Sequence, residues 1–91
     1  MFYLYILYCN NQFFYVGITK NLSERIEQHK SGRSRYTKRY SEINLVYYEK
    51  HKKRIDAEKR EIQIKGWSKK KKQALIEGNV EKLIDLAKSR P

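Results

Sequence analysis

The sequence predicts a small α/β (α+β) domain: a three-stranded, mainly antiparallel sheet flanked by helices. Three observations lead there. Phe2 to Cys9 is apolar or aromatic at every position, the pattern of a strand covered on both faces at the centre of a sheet. Asn10, Asn11 and Gln12 interrupt that run and Phe13 to Ile18 resumes it, which reads as a hairpin. The remaining apolar residues recur mostly at helical spacing, between residues that start and stop helices.

The register of the hairpin decides whether two tyrosines meet. A two-residue loop, Asn10 and Asn11, would pair Cys9 with Gln12 and put Tyr5 and Tyr15 on opposite faces. A three-residue loop, with Asn11 in the left-handed region, pairs Cys9 with Phe13, sets Tyr5 opposite Gly17 and turns both rings to one side. The second register is expected, because only it gives these polar-tipped rings a shared site.

After Gly17, Asn21 followed by Glu24 forms a helix start, with an N-cap acceptor and a carboxylate three residues on. This helix should run to about Ser31 and end at Gly32. Leu22 and Ile26 supply its core-facing stripe, and Arg25 and His29, four apart, are neighbours on its surface. Residues 30–40 carry five cations (Lys30, Arg33, Arg35, Lys38, Arg39) and no acid, with Tyr36 and Tyr40 interleaved. A loop that adds nothing to the core is expected there. Ile43 to Glu49 reads as a third strand, with Val46 and Tyr48 on one face and Leu45 and Tyr47 on the other. A helix from Arg54 to about Gly66 places Ala57, Glu61 and Ile64 on one face, so Glu61 interrupts an apolar stripe. Ser68 caps a helix through Ile76 that Gly78 ends, and Asn79 caps a last helix over about 79–88. One domain, 1–91 with its core in 2–76, fits the length, since a chain this short buries only about 60 to 65% of its unfolded surface.

Twenty-one Lys+Arg against ten Asp+Glu give a formal net charge of +11, an excess that points to a polyanionic partner. Nucleic acid and anionic membrane both qualify. A membrane partner would call for an amphipathic helix with bulky apolar residues or a lipidation signal, and neither is evident. The apolar N-terminal run has no basic segment before it and is too short to span a bilayer, so a cytoplasmic protein is expected. Cys9 is the sole cysteine, which excludes an internal disulfide and a cysteine-based metal cluster.

Taken singly, the polar residues have plain readings. Arg25 and His29 could be a solvated helix face, and Glu61 an exposed ion pair with Arg60 or Lys65. Tyr3, Tyr8, Tyr47 and Tyr48 read as core residues with bonded hydroxyls. His51 reads as a surface residue, Trp67 as a core anchor, and Lys69 to Lys72 as either a solvated helix start or a phosphate contact. Their order is more specific: Tyr5 in YLYIL, then Y-x-G-x-T from Tyr15, L-x-x-R-x-x-x-H from Leu22 and A-x-x-x-E-x-x-x-K from Ala57.

This ordered set, over Phe2 to Ile76, resembles the GIY-YIG nuclease superfamily, and most closely its small single-domain bacterial branch. The first motif lacks its glycine, since Tyr3 and Leu4 precede Tyr5, and Val16 stands for isoleucine, a small volume change. The resemblance implies a GIY-YIG endonuclease-like fold and a divalent-metal-dependent nuclease that hydrolyses phosphodiester bonds in DNA. Little sequence preference is expected, because no recognition helix with base-reading side chains is evident. Tyr5, Tyr15, Arg25 and His29 would be catalytic, and Glu61 would hold one Mg²⁺ or Mn²⁺, with water and substrate phosphate completing the octahedron.

Arg25 offers a planar fork matched to two phosphate oxygens. Gly17, without a side chain, would let the phosphate backbone approach the sheet. The resemblance makes Tyr5 the group that orients or deprotonates the water. His29, with an ordinary pKa of about 6.5, is chemically the better-matched proton acceptor, and the sequence leaves both open. Lys30, Arg33, Arg35, Tyr36, Lys38, Arg39, Lys65, Lys69 and Lys70 would contact nucleic acid, Tyr36 and Tyr40 by stacking. DNA is the expected partner, with RNA the alternative, and the protein is expected to be a monomer. The rival reading is a catalytically weak or inactive nucleic-acid-binding module of the same fold.

Overall fold

In the computed structural model the elements follow as β1 (Phe2–Cys9), β2 (Phe13–Thr19), α1 (Leu22–Lys30), β3 (Ile43–His51), α2 (Arg54–Lys65) and α3 (Lys69–Glu77). The structure describes residues 1–34, 37 and 40–78. Arg35, Tyr36, Lys38 and Arg39 of the basic segment, and the helix expected at 79–88, lie outside them. The sheet is antiparallel in the order β2-β1-β3, so the all-apolar strand is the central one. Among the described residues no helix is long and apolar enough to cross a membrane.

Both faces of β1 are covered, as its composition requires. Leu4 and Ile6 join Val16 and Ile64 of α2 in one cluster, with Trp67 and with Leu75 and Ile76 of α3 packed against it. Tyr5, Leu7 and Cys9 join Ile43 on the other face, beneath Leu22 and Ile26 of α1. Helix α1 therefore lies on one side of the sheet, and α2 and α3 on the other. Cys9 is fully buried, and burial pushes its thiol pKa up, so it behaves as a small hydrophobe.

The hairpin adopts the expected register, Cys9 opposite Phe13 and Tyr5 opposite Gly17. Asn10 and Asn11 both have φ near +52°, two left-handed residues where one was expected, and asparagine tolerates that region better than most residues. Asn10 also ties the turn to the entry of β3: its N–H donates to the Glu42 carbonyl at 2.7 Å, and its Oδ1 accepts from the Glu42 N–H at 3.0 Å. The caps are as the sequence indicates, with Asn21 Oδ1 accepting from the Glu24 N–H at 3.0 Å and Ser68 Oγ from the Lys71 N–H at 3.2 Å.

Strand β3 departs from simple alternation. Its pairing with β1 shifts between Ile6, opposite Tyr47, and Leu7, opposite Leu45, so Val46 is an extra residue, a bulge. In consequence Val46 and Tyr47 both pack against the Leu4 and Ile6 cluster, and the expected faces of Val46 and Tyr47 are corrected. Tyr48, expected in the core, is 49% exposed and stands beside Tyr3, ring centroids 6.1 Å apart. The basic segment also contributes to the interior, since Ser34 and Thr37 are buried.

A polar cluster fastens the end of β3 to α2. The Glu49 carboxylate accepts from the Tyr47 hydroxyl and from Arg60 Nε at 2.8 Å, and pairs with His51 Nε2 at 2.8 Å. His51, expected as a surface residue, is thus engaged. Arg60 also lies over the Trp67 ring at 5.2 Å, and Lys71 over the same ring at 4.4 Å. Burial works to raise the Glu49 pKa, but the three donors and the Arg60 charge outweigh it and hold the carboxyl below its ordinary value. Burial and the Glu49 hydrogen bond push Tyr47 up to about 12.

A carboxyl whose pKa is lower folded than unfolded stabilises the fold above its unfolded pKa, and that contribution disappears as pH falls through the folded value. Glu49→Gln should therefore cost about 1.5 kcal/mol in urea unfolding at pH 7. The gap between parent and variant should close as pH falls below the ordinary glutamate value of 4.5. A constant gap down to strong acid would mean that the carboxylate charge plays no part.

Candidate active site

Tyr5 sits on the central strand directly across from Gly17 on the edge strand β2. A Cβ at position 17 would lie 2.6 Å from the Tyr5 hydroxyl oxygen and 2.7 Å from its Cζ. The glycine is required within the fold, because the phenol occupies the room a side chain would need. The room that the sequence reading gave to an approaching phosphate is filled by the Tyr5 ring.

The hydroxyl then needs a partner, because an unbonded polar group in the core is costly. It lies 2.9 Å from His29 Nε2, and His29 Nδ1 lies 2.6 Å from Thr37 Oγ1. All three side chains are buried. Helix α1, phased by its Asn21 cap, turns His29 inward two turns later, so the reading of His29 as part of a solvated face fails: it is 1% exposed. Tyr15 closes the group, its ring centroid 6.3 Å from that of Tyr5 and 5.2 Å from that of His29.

Two charges act on this group from opposite faces of the sheet. Burial raises the Tyr5 pKa far above that of a free phenol, with Tyr15 and the Glu61 carboxylate adding to the rise and the Arg25 guanidinium opposing it. Arg25 comes from α1 and Glu61 from α2, and both reach the Tyr5 hydroxyl electrostatically. Burial, and next the Arg25 charge, lower the His29 pKa, so the imidazole is neutral at pH 7. One of its nitrogens therefore donates and the other accepts. When Nδ1–H donates to Thr37 Oγ1, Nε2 is free to accept from the Tyr5 O–H.

Glu61 stands between buried Ala57 and Ile64 on α2, with its side chain 22% exposed and 3.4 Å from Lys65 Nζ. Among the described residues there is no group of three His, Cys, Asp or Glu that could hold a metal ion. A lone, partly exposed carboxylate suits a hard cation such as Mg²⁺ as one ligand among water and phosphate oxygens. Arg25 lines a hollow of about 210 Å³ with Phe2, Ile18, Thr19, Lys20 and Arg54. Its guanidinium also approaches Gln28 Oε1 at 3.4 Å.

The structure thus packs Tyr5, Tyr15, Gly17 and His29 together, with Arg25 and Glu61 acting on the group through their charges. Other expected contacts lie apart. Lys30 is exposed beside Ser41, Glu42 and Ile43, at the Cys9 end of the sheet, away from Arg25. Arg33 Nε donates to Ser31 Oγ at 2.9 Å. Lys69 Nζ donates to the Gln12 carbonyl at 2.9 Å and lies over the Tyr8 ring, and Lys70 is exposed on α3, so both belong to the sheet face opposite α1. Lys65 alone among these is at the site, through Glu61. Thr37, Lys20 and Arg54 were not singled out from sequence. A threonine in a basic run has no local signature, and the two cations fall outside the densest charge cluster.

Residues 1–74 match the family model of the GIY-YIG catalytic domain. The chain is 38% identical over 93 residues to the UPF0213 protein CPE1444 of Clostridium perfringens, covering 94% of this chain and 100% of that one. It is 36% identical over 75 residues to a UPF0213 protein of Staphylococcus aureus, covering 81% and 92%. The solution NMR structure of the UPF0213 protein BH0048 from Bacillus halodurans superposes with a TM-score of 0.56 at 30% identity, covering 92% of this chain and 94% of that one.

Gly17→Ala should cost about 2 kcal/mol of stability by overpacking. In a Tyr5→Leu background the same change should cost less than half as much, and equal costs in both backgrounds would disprove the close approach. In NMR titration His29 should protonate below the ordinary 6.5, and Arg25→Gln should move its midpoint upward. An unmoved midpoint would show that the guanidinium charge does not reach the ring.

Proposed function

Because this chain belongs to the GIY-YIG domain family, we propose that it is a nuclease that hydrolyses phosphodiester bonds in DNA with little sequence preference. The observation that supports this most is the buried Tyr5 phenol hydrogen-bonded to a neutral histidine, with the charges of Arg25 and Glu61, from helices on opposite faces, both acting on it. Phosphodiester hydrolysis needs positive charge on the non-bridging oxygens, an aligned water and a place for the water's proton. The chain supplies a group for each.

Arg25 presents a planar fork to two phosphate oxygens, with Lys20 and Arg54 beside it in the same hollow. A phenol held far above neutrality keeps its proton at pH 7, so Tyr5 acts as a base only together with His29. As the water's proton moves to the Tyr5 oxygen, the Tyr5 proton moves to His29 Nε2. This step uses the tautomer in which Nδ1–H donates to Thr37 Oγ1 and Nε2 is open. Nucleases of this family generally use divalent metal ions, and Glu61 is the residue that would hold Mg²⁺ or Mn²⁺, whose charge would stabilise the phosphate and leaving oxygens.

One observation favours the rival reading of a binding module with weak chemistry: Tyr5 is only 2% exposed, which restricts the access of water to its hydroxyl. Cleavage assays on single-stranded, duplex and branched DNA with Mg²⁺ or Mn²⁺ separate the two. Cutting should be lost in Glu61→Gln and Arg25→Ala, and reduced about 10²- to 10⁴-fold in Tyr5→Phe. If no substrate is cut, or if Glu61→Gln cuts like the parent, the nuclease assignment fails. Salt-sensitive binding that survives Glu61→Ala would then support the binding module.

A further inference from the structure

The bulge in β3 leaves an aromatic surface that the fold does not use. Tyr48 pairs with Tyr5 across the sheet, on the side away from Gly17. Two strand spacings, about 10 Å, therefore separate Tyr48 from the Gly17 edge. Its ring is half exposed and stands beside Tyr3. These rings, with Lys20, Ser23 and Lys50, line a hollow of about 330 Å³.

Lys20 also borders the two hollows that Arg25 lines, so one groove runs from Arg25 around the first turn of α1 to Tyr48. Glu24, which shares the Arg25 end, is hydrogen-bonded to Gln28. Lys20 Nζ lies over the Phe2 ring at 5.4 Å. Among the described residues neither Lys20 nor Lys50 forms an ion pair.

We propose that this groove is a subsite for an unpaired nucleotide flanking the scissile phosphate: its base stacks on Tyr48, and its phosphates lie between Lys20 and Lys50. The inference rests on the nuclease reading and adds to it where the strand goes once it leaves Arg25. Charge and ring together select the ligand class. A free phosphate has no use for the exposed ring, and an apolar peptide none for two uncompensated ammonium groups. A nucleotide uses both, because every base has a π-face and stacking on tyrosine is tolerant of sequence. A base inside a duplex has both faces covered by its neighbours, so the occupant is unpaired. At about 3.4 Å per nucleotide or more, a strand covers the two strand spacings from the Gly17 edge to Tyr48 within about three nucleotides.

The test compares hexathymidylate with an abasic strand of equal length, at fixed salt and with divalent ions chelated so that nothing is cut. Fluorescence anisotropy should show the base-bearing strand bound about tenfold more tightly. Tyr48→Ala should abolish that preference and Tyr48→Phe should keep it, which separates stacking from a general disturbance of the sheet. Lys20→Ala and Lys50→Ala should weaken both strands alike and make the salt dependence shallower by roughly one phosphate contact each. Equal affinity for the two strands in the parent, or a base preference that survives Tyr48→Ala, would overturn the subsite while the cleavage assays still stand or fall on Glu61. If neither strand binds, the subsite and the nucleic-acid reading both fall.

Discussion

The phenol of Tyr5, laid into the space that Gly17 leaves open, sets conditions that spread through the rest of the molecule. It can lie there only if the hairpin pairs position 5 with position 17, which fixes the loop at three residues and its two left-handed asparagines. Its buried hydroxyl requires a polar partner that is itself buried, and α1 delivers His29. That imidazole has a second nitrogen to satisfy, and Thr37 meets it from the basic segment. Among the described residues no buried side-chain nitrogen or oxygen lacks a partner, so the polar chain is closed. A closed network in a low-dielectric interior favours one arrangement over its alternatives, and a half-satisfied one would be worse than an apolar core.

Arg25 has two effects on this chain of groups, and they oppose each other. Its charge lowers the pKa of Tyr5, favouring the phenolate, and lowers that of His29, disfavouring the imidazolium. In the free protein, proton transfer from Tyr5 to His29 gains from the first effect and loses from the second. A phosphate seated on the guanidinium would cancel part of its charge, relieving His29 at the moment when a water has to be deprotonated. An anion bound at Arg25 would thereby make the histidine more basic and, by the same cancellation, the phenol less acidic.

Much of the fold was legible because it is written in apolar periodicity. The unbroken run in β1 announced a central strand, and the asparagine and glycine signals placed the turn and the helix ends to within a residue or two. The order of Tyr5, Tyr15, Arg25, His29 and Glu61 pointed to one site, and of these the rings of Tyr5, Tyr15 and His29 lie together in the structure, while Arg25 and Glu61 act on Tyr5 through their charges. What escaped the sequence is polar and tertiary. Thr37 and the inward turn of His29 are invisible to a reading that counts buried residues by hydrophobicity. The bulge at Val46 is a single-residue irregularity inside a strand that otherwise alternates. Glu49, His51 and Arg60 come from two elements and meet only once α2 docks.

That docking bears on the site in a specific way. Arg60 and Glu61 are consecutive on α2 and so point about 100° apart around its axis. Arg60 is held by Glu49 on β3 and by the face of Trp67, which fixes the rotation of the helix over the central strand. With residue 60 turned toward β3, residue 61 takes a different direction from the same axis, and from there its charge acts on the Tyr5 hydroxyl. A helix with a weak apolar stripe, interrupted by an acid, would otherwise have little to set its phase. The ion-paired cluster on the far strand supplies that constraint, and the carboxylate on which the proposed chemistry depends takes its position from it.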